Sequence, residues 1–126
     1  MEIVVCLKEI IDPEIPPSQF KIDPAAKRQL QEGHALVIST YDEHALEVAL
    51  KLKEAAGGTV TALCLGAPTA TTALRKALAM GAEQAILLSD PALPAADAFG
   101  VAAALAAAIR KRGPFDLVLA GCESGD

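Results

Sequence analysis

The chain has 126 residues, the size of one ordinary domain, and 52 % of them are apolar while only 3 % are aromatic, so Ala, Leu, Val and Ile must fill the core. Eleven Lys and Arg against sixteen Asp and Glu give a net charge of -5, which repels a nucleic-acid backbone, and so few aromatic residues leave little for base stacking. Cys6, Cys64 and Cys122 stand far apart without a CxxC pair, which argues against a disulfide framework and for a reducing, cytoplasmic setting.

Ile3 to Leu7 is a continuous apolar, largely β-branched run, as expected of a strand buried on both faces of a parallel sheet. The opening residues lack a charged region followed by a long apolar stretch, so no export signal is expected. From Ile11 to Pro24 the prolines 13, 16, 17 and 24 remove backbone donors and predict a long extended loop. Ala35 to Ser39 reads as a short strand. Tyr41 to Ala56 follows as an amphipathic helix, with Ser39, Thr40 and Asp42 available as caps and Gly57-Gly58 as its stop.

Thr59 to Leu65 predicts a second buried strand, Gly66 to Thr69 a turn, Thr71 to Met80 a helix stopped by Gly81, and Gln84 to Leu88 another strand. After Pro91 and Pro94 an Ala-rich helix runs to about Arg112, and its Ala98 to Ile109 stretch is too short to span a membrane. Arg110, Lys111 and Arg112 sit where a cationic end complements the helix dipole. Gly113-Pro114 ends the helix and Asp116 to Ala120 forms the last strand. Strands alternating with helices predict an α/β fold: an open, mostly parallel sheet with helices on both faces. The polar sequence Gly121 to Asp126 directly after a strand leads us to expect a piece of a longer protein, with residues 1–126 as one N-terminal domain.

Enzymatic signatures are missing. There is no GxGxxG, P-loop or GxSxG, and His34 and His44 have no ligand spacing around them, so neither a catalytic group nor a metal site is expected. Four segments do share one address at the carboxyl edge of the sheet: Leu7-Lys8-Glu9, Ser39 to Asp42, Leu65-Gly66-Ala67 and Gly121 to Asp126. Backbone N–H groups and helix N-termini there can hold a nucleotide. Tyr41 offers an aromatic face, Ser39 and Thr40 offer hydroxyls, and Asp42 offers an acceptor that repels a triphosphate. A nucleotide with few phosphates, or a dinucleotide, suits this set better than ATP.

Several segments together resemble the beta subunit of electron-transfer flavoproteins. The opening Ile3-Val4-Val5-Cys6-Leu7-Lys8-Glu9-Ile10-Ile11-Asp12 is similar to that family's first strand with its Lys and Asp, and Ile22-Asp23-Pro24 to its loop. Ser39-Thr40-Tyr41-Asp42-Glu43-His44-Ala45-Leu46-Glu47 resembles its Asn-Pro-aromatic-x-Glu-x-Ala-Leu-Glu segment, with Ser and Thr in place of Asn and Pro. Most specific is Leu74-Arg75-Lys76-Ala77-Leu78-Ala79-Met80-Gly81-Ala82-Glu83, and Asp116 to Gly121 continues in register. The resemblance covers this whole chain but about half of a typical family member.

The resemblance implies an adenine-nucleotide-binding fold of the kind shared with universal stress proteins. It also implies a heterodimer with an alpha subunit that holds most of the FAD. AMP, or a second FAD in electron-bifurcating members, would lie in this subunit. Electrons would come from a flavin dehydrogenase such as an acyl-CoA dehydrogenase and pass to a quinone oxidoreductase or another acceptor. This piece would be a redox-silent scaffold, not an enzyme. By position the nucleotide contacts are Cys6, Ser39, Thr40, Tyr41, Asp42, Leu65, Gly121, Cys122, Glu123, Ser124, Gly125 and Asp126. Cys122 and Glu123 depart from the family's basic residue and Gln, which weakens phosphate affinity. A stand-alone, ATP-binding regulator of the universal-stress type is the alternative, but its late glycine-rich phosphate loop is not visible here. The lack of that loop and of paired catalytic groups also counts against a hydrolase or ligase.

Overall fold

The computed structural model describes residues 1–93 and 96–126. Pro94, expected to precede the last helix, lies outside them. In chain order the strands and helices are β1 (Glu2–Leu7), β2 (Glu9–Ile11), β3 (Ile22–Asp23), β4 (Arg28–Gln29), β5 (Leu36–Ile38), α1 (Thr40–Ala56), β6 (Thr59–Leu65), α2 (Thr71–Met80), β7 (Gln84–Leu88), α3 (Ala98–Arg112) and β8 (Leu117–Leu119).

Four strands form one wholly parallel sheet in the order β7-β6-β1-β8. The chain steps outward from β1 to β6 through α1 and on to β7 through α2; α3 then returns it to the far side of β1, where β8 pairs Val5 with Leu119. The order therefore reverses between β1 and β8, and in open parallel sheets such a reversal opens a crevice at the carboxyl ends.

The expected buried runs explain the sheet. Ile3, Val4 and Val5 in β1 and Val60, Ala62 and Leu63 in β6 are almost wholly enclosed. One face of the sheet packs Ile3, Val5 and Leu7 against Leu46, Ala49 and Leu50 of α1 and Ala73, Leu74 and Ala77 of α2. On the opposite face Val4 and Leu63 meet Leu105, Ala108 and Ile109 of α3. Helices thus cover both faces, and each fully buried Leu, Ile or Val contributes about 1.5–3 kcal/mol of burial. Alanines at 49, 73 and 77 let the helices lie close to the sheet, which is how a core nearly free of aromatic rings closes.

Helix ends follow the sequence. Gly57 stops α1 at φ 74°, a left-handed conformation that costs glycine little. Asp97 caps α3 by accepting from the N–H of Gly100, and Arg110, Lys111 and Arg112 fill its last turn.

Two features differ from expectation. The strand expected over Ala35 to Ser39 exists as β5, but it pairs antiparallel with β2 in a separate two-stranded ribbon, Ile10 opposite Val37. The proline-rich stretch is not one continuous loop. It opens with Glu9–Ile11 as β2, contains a 3₁₀ turn at Pro17–Gln19, and continues into a β3–β4 hairpin pairing Ile22 with Gln29. Pro13 and Pro16 fall between these pieces and Pro17 opens the 3₁₀ turn, positions where their missing N–H groups break no ladder. Among the described residues no helix is long and apolar enough to cross a membrane.

Candidate functional site

The crevice between β1 and β8 holds a cleft of about 420 Å³. Cys6, Leu7, Leu65 and Ala120 line it from the strand ends, and Ala98, Val101 and Leu105 from α3. Lys8, Asp42, Glu123, Ser124 and Asp126 supply its polar groups. An apolar interior with a few convergent polar side chains is the usual form of a small-molecule site.

Asp42 holds the crevice in shape. It lies in the first turn of α1, only 7 % exposed, and its Oδ2 accepts from the N–H of Lys8 at 2.8 Å while Oδ1 accepts from the N–H of Gly121 at 2.9 Å. Lys8 directly follows β1 and Gly121 closely follows β8, so one carboxylate ties together the two strand ends flanking the topological switch. Burial pushes its pKa above the usual carboxylate value; the two N–H donors and the Lys8 ammonium pull in the opposite direction without overcoming it. Both oxygens expected to meet a ligand therefore already serve the backbone.

Ser39 is also used differently from its expected role as a helix cap. Its side chain makes no cap hydrogen bond; the buried hydroxyl accepts from the N–H of Gly125 at 3.1 Å and anchors the terminal loop over the start of α1. The backbone N–H of Ser39 donates to the carbonyl of Lys8 at 2.8 Å, a second tie between α1 and β1. Gly121 must be small here, because a Cβ would lie 2.6 Å from Asp42 Oδ1 and 2.7 Å from Tyr41 Cβ.

Lys8 Nζ donates to the carbonyl of Glu9 and pairs with Asp126 at 3.1 Å. Burial acts to raise the Asp126 pKa, but hydrogen bonds from Ser124 and Lys8 and the Lys8 charge leave it lowered. Burial also pushes the Cys6 thiol up, with the Asp42 charge adding to the effect, so Cys6 acts as a neutral wall group.

Of the residues expected from the sequence, Cys6, Asp42, Leu65, Gly121, Glu123, Ser124 and Asp126 line this cleft together. Ser39 and Gly125 support it from behind through their hydrogen bond. Thr40, Tyr41 and Cys122 are exposed and do not line it. A hydrogen bond to Glu123, followed by the nearby charges, raises the Tyr41 hydroxyl pKa. Leu7 and Lys8 come from the Leu7-Lys8-Glu9 segment expected at this edge, though they were not among the positional contacts; Val101 and Leu105 were not anticipated, and their i,i+4 spacing on α3 was the available signal.

Comparison with known proteins adds an independent finding. A family profile described as the electron transfer flavoprotein domain matches residues 28–125. The protein named FixA from Azotobacter vinelandii is 40 % identical over the whole of this chain, which covers 44 % of that relative. The electron transfer flavoprotein subunit beta of Clostridium acetobutylicum is 41 % identical, with the whole chain matching 47 % of it. The caffeyl-CoA reductase-Etf complex subunit CarD of Acetobacterium woodii is 42 % identical, again over the whole chain and 47 % of the relative. The chain spans less than half the length of each of these relatives.

Proposed function

The chain belongs to the electron transfer flavoprotein domain family, and from that premise we propose that it is the nucleotide-binding part of a beta subunit whose switch-point cleft holds AMP or the adenylate end of a second FAD. The observation that carries this reading is the Asp42 bridge: it ties the ends of β1 and β8 together at the crevice and holds the start of the loop beyond β8 in place. An adenine ring fits among Leu7, Leu65, Ala120 and Val101, with main-chain groups available to its edge. The first-turn N–H groups of α1 and the Lys8 ammonium favour an anion. Asp42, Glu123 and Asp126 set a limit to that attraction, so one phosphate, or a shared pyrophosphate, suits the cleft better than three.

These residues bind, orient and exclude water. Flavin, when bound to the complete assembly, supplies the electron-accepting chemistry. In this reading the whole protein is an electron carrier rather than an enzyme, pairs with an alpha subunit that holds most of the FAD, and carries electrons from a flavin dehydrogenase to a quinone oxidoreductase or another acceptor. The CarD relative is named as a subunit of an Etf complex, which accords with a role inside a larger assembly.

The test is purification of the full protein from its own host, with identification of co-purifying chains and extraction of bound nucleotide. A partner flavoprotein subunit with FAD plus AMP, or with two FAD per heterodimer, is the expected result. Recovery of the protein alone, loaded with ATP, overturns the carrier reading.

A further inference from the structure

Two strands bound the main sheet, β7 on one side and β8 on the other. The outer side of an edge strand carries unpaired N–H and C=O groups, and natural proteins blunt such edges with short strands, prolines or charges. β8 is blunted in this way: it has only the three residues Leu117–Leu119, and Pro114 and Asp116 lead into it. β7 is not. Its five residues Gln84-Ala85-Ile86-Leu87-Leu88 include no charge and no proline, and among the described residues no strand pairs with its outer side. Gln84 and Ala85 are exposed and Ile86, Leu87 and Leu88 only half-buried, whereas Val60 to Cys64 of the neighbouring β6 are enclosed.

The surroundings of this edge are apolar as well. Ile86 and Leu88 pack toward α3 on one face of the sheet, and Leu87 packs toward α1 and α2 on the other. A shallow groove of about 390 Å³ opens at the Leu88 end, lined by Leu88, Leu93, Ala104 and Ala107, with Asp90 and Lys111 as its charged members.

We propose that β7 is an interface with a second copy of this chain, the two strands pairing antiparallel about a two-fold axis at Ile86 so that the two sheets become one. The inference is independent of what the switch-point cleft binds. A two-fold axis normal to the sheet reverses the strand, so the pairing is antiparallel and closed at two copies. Centring it on Ile86 gives full overlap: Gln84 faces Leu88 of the second copy, Ala85 faces Leu87, and Ile86 faces itself. Opposed residues of an antiparallel pair point to the same face. The two Ile86 side chains therefore meet on the α3 side, each diagonal to Leu88 at the mouth of the other copy's groove. Charge favours the same register. Asp90 comes to face Ala82 of the second copy, next to Gly81, whose carbonyl accepts from Lys53 Nζ at 3.0 Å. The Lys53 ammonium, already paired with Glu83, is then shared with the incoming carboxylate.

The test uses the full protein with the chains that co-purify with it. Sedimentation velocity of wild type at micromolar concentration is expected to give the mass of an assembly holding two copies of this chain. Ala85→Lys changes an already exposed position and sets two lysines diagonally across the axis. It is expected to weaken the association by at least about ten-fold and return the mass to that of a one-copy assembly, with the circular dichroism spectrum unchanged. Directly opposed residues lie about 4.5–5.5 Å apart at Cα, within the span of about 4.4–6.8 Å that a disulfide bridges. In a Cys122→Ser background Ile86→Cys is therefore expected to cross-link two copies under glutathione disulfide, and Val118→Cys on the opposite edge is not. This pair of variants decides the question should Ala85→Lys fail to fold. A one-copy assembly in wild type overturns the proposal, and so does equal cross-linking of the two cysteine variants or an unchanged mass for folded Ala85→Lys.

Discussion

Asp42→Asn is the sharpest probe of how the crevice is built. The carboxylate accepts two backbone N–H groups, one on each oxygen, from Lys8 and Gly121. An asparagine has one acceptor oxygen; whichever N–H it keeps, it turns its own NH2 toward the other. The lost charge-assisted bond is worth about 1.5–3 kcal/mol, and the stranded N–H costs about 1–3 kcal/mol more. Relief from burying a charge offsets part of this, leaving a net loss of about 2–4 kcal/mol. Urea denaturation at neutral pH should show a lower midpoint with an unchanged slope. A loss below about 0.5 kcal/mol would mean that Asp42 does not hold the two strand ends.

The pH dependence of the same variant tests the balance at Asp42. Its pKa in the folded protein is raised from the ordinary 3.8, with burial the main cause. Between that value and the raised one the native state holds a proton the unfolded chain has lost, so the stability contribution of Asp42 falls as pH rises through this window. The gap between wild type and Asp42→Asn should therefore be wider near pH 4 than at pH 7. A gap that widens toward neutral pH would show that the N–H donors outweigh burial.

Glu83 should respond to pH in the opposite sense. Burial acts to raise its pKa, but Lys53, which pairs with it, and the N–H of Val60, at 2.7 Å from Oε2, leave it lowered. Its contribution is then fully present above the unfolded value and lost as pH falls through the folded one. Glu83→Gln should cost about 0.5–2 kcal/mol at pH 7 and almost nothing near pH 3; a cost independent of pH would remove the ionised pair from the explanation. The thiols should separate by reactivity. Burial, the largest cause, pushes the enclosed Cys64 thiol up to about 11, so only about one part in a thousand is thiolate near pH 8. Cys122 is exposed and should label first with a thiol reagent, while Cys64 should label only as the fold opens. Comparable native-state rates for the two would contradict the burial of β6.

Much of the architecture was legible residue by residue. The apolar run Ile3 to Leu7, and Thr59 to Leu65 in which only Thr59 and Thr61 are polar, read as strands buried on both faces, which calls for parallel strands with helices above and below. Gly57 and Gly81, after amphipathic stretches, marked the ends of α1 and α2 through conformations that glycine adopts cheaply. Once the strands were taken as parallel, the carboxyl-edge address of the four loop segments followed, because every βα connection starts at that edge.

Pairing partners and side-chain direction were not legible. Ala35 to Ser39 looked like any short strand, and only the return of the chain after the proline-rich excursion set it against Glu9–Ile11 instead of the main sheet. Ser39 and Asp42 have the composition of helix caps, and nothing local shows that they turn instead to Gly125, Lys8 and Gly121, since two of those three partners lie about eighty residues away. Thr40, Tyr41 and Cys122 shared the segments of the site but are exposed and do not line its cleft, because neighbouring side chains on a helix or loop diverge. Composition and periodicity by themselves determined the class of fold and the sheet edge at which the four loop segments gather. The tertiary structure alone decided which side chains meet there, since those contacts depend on long-range closure and not on local pattern.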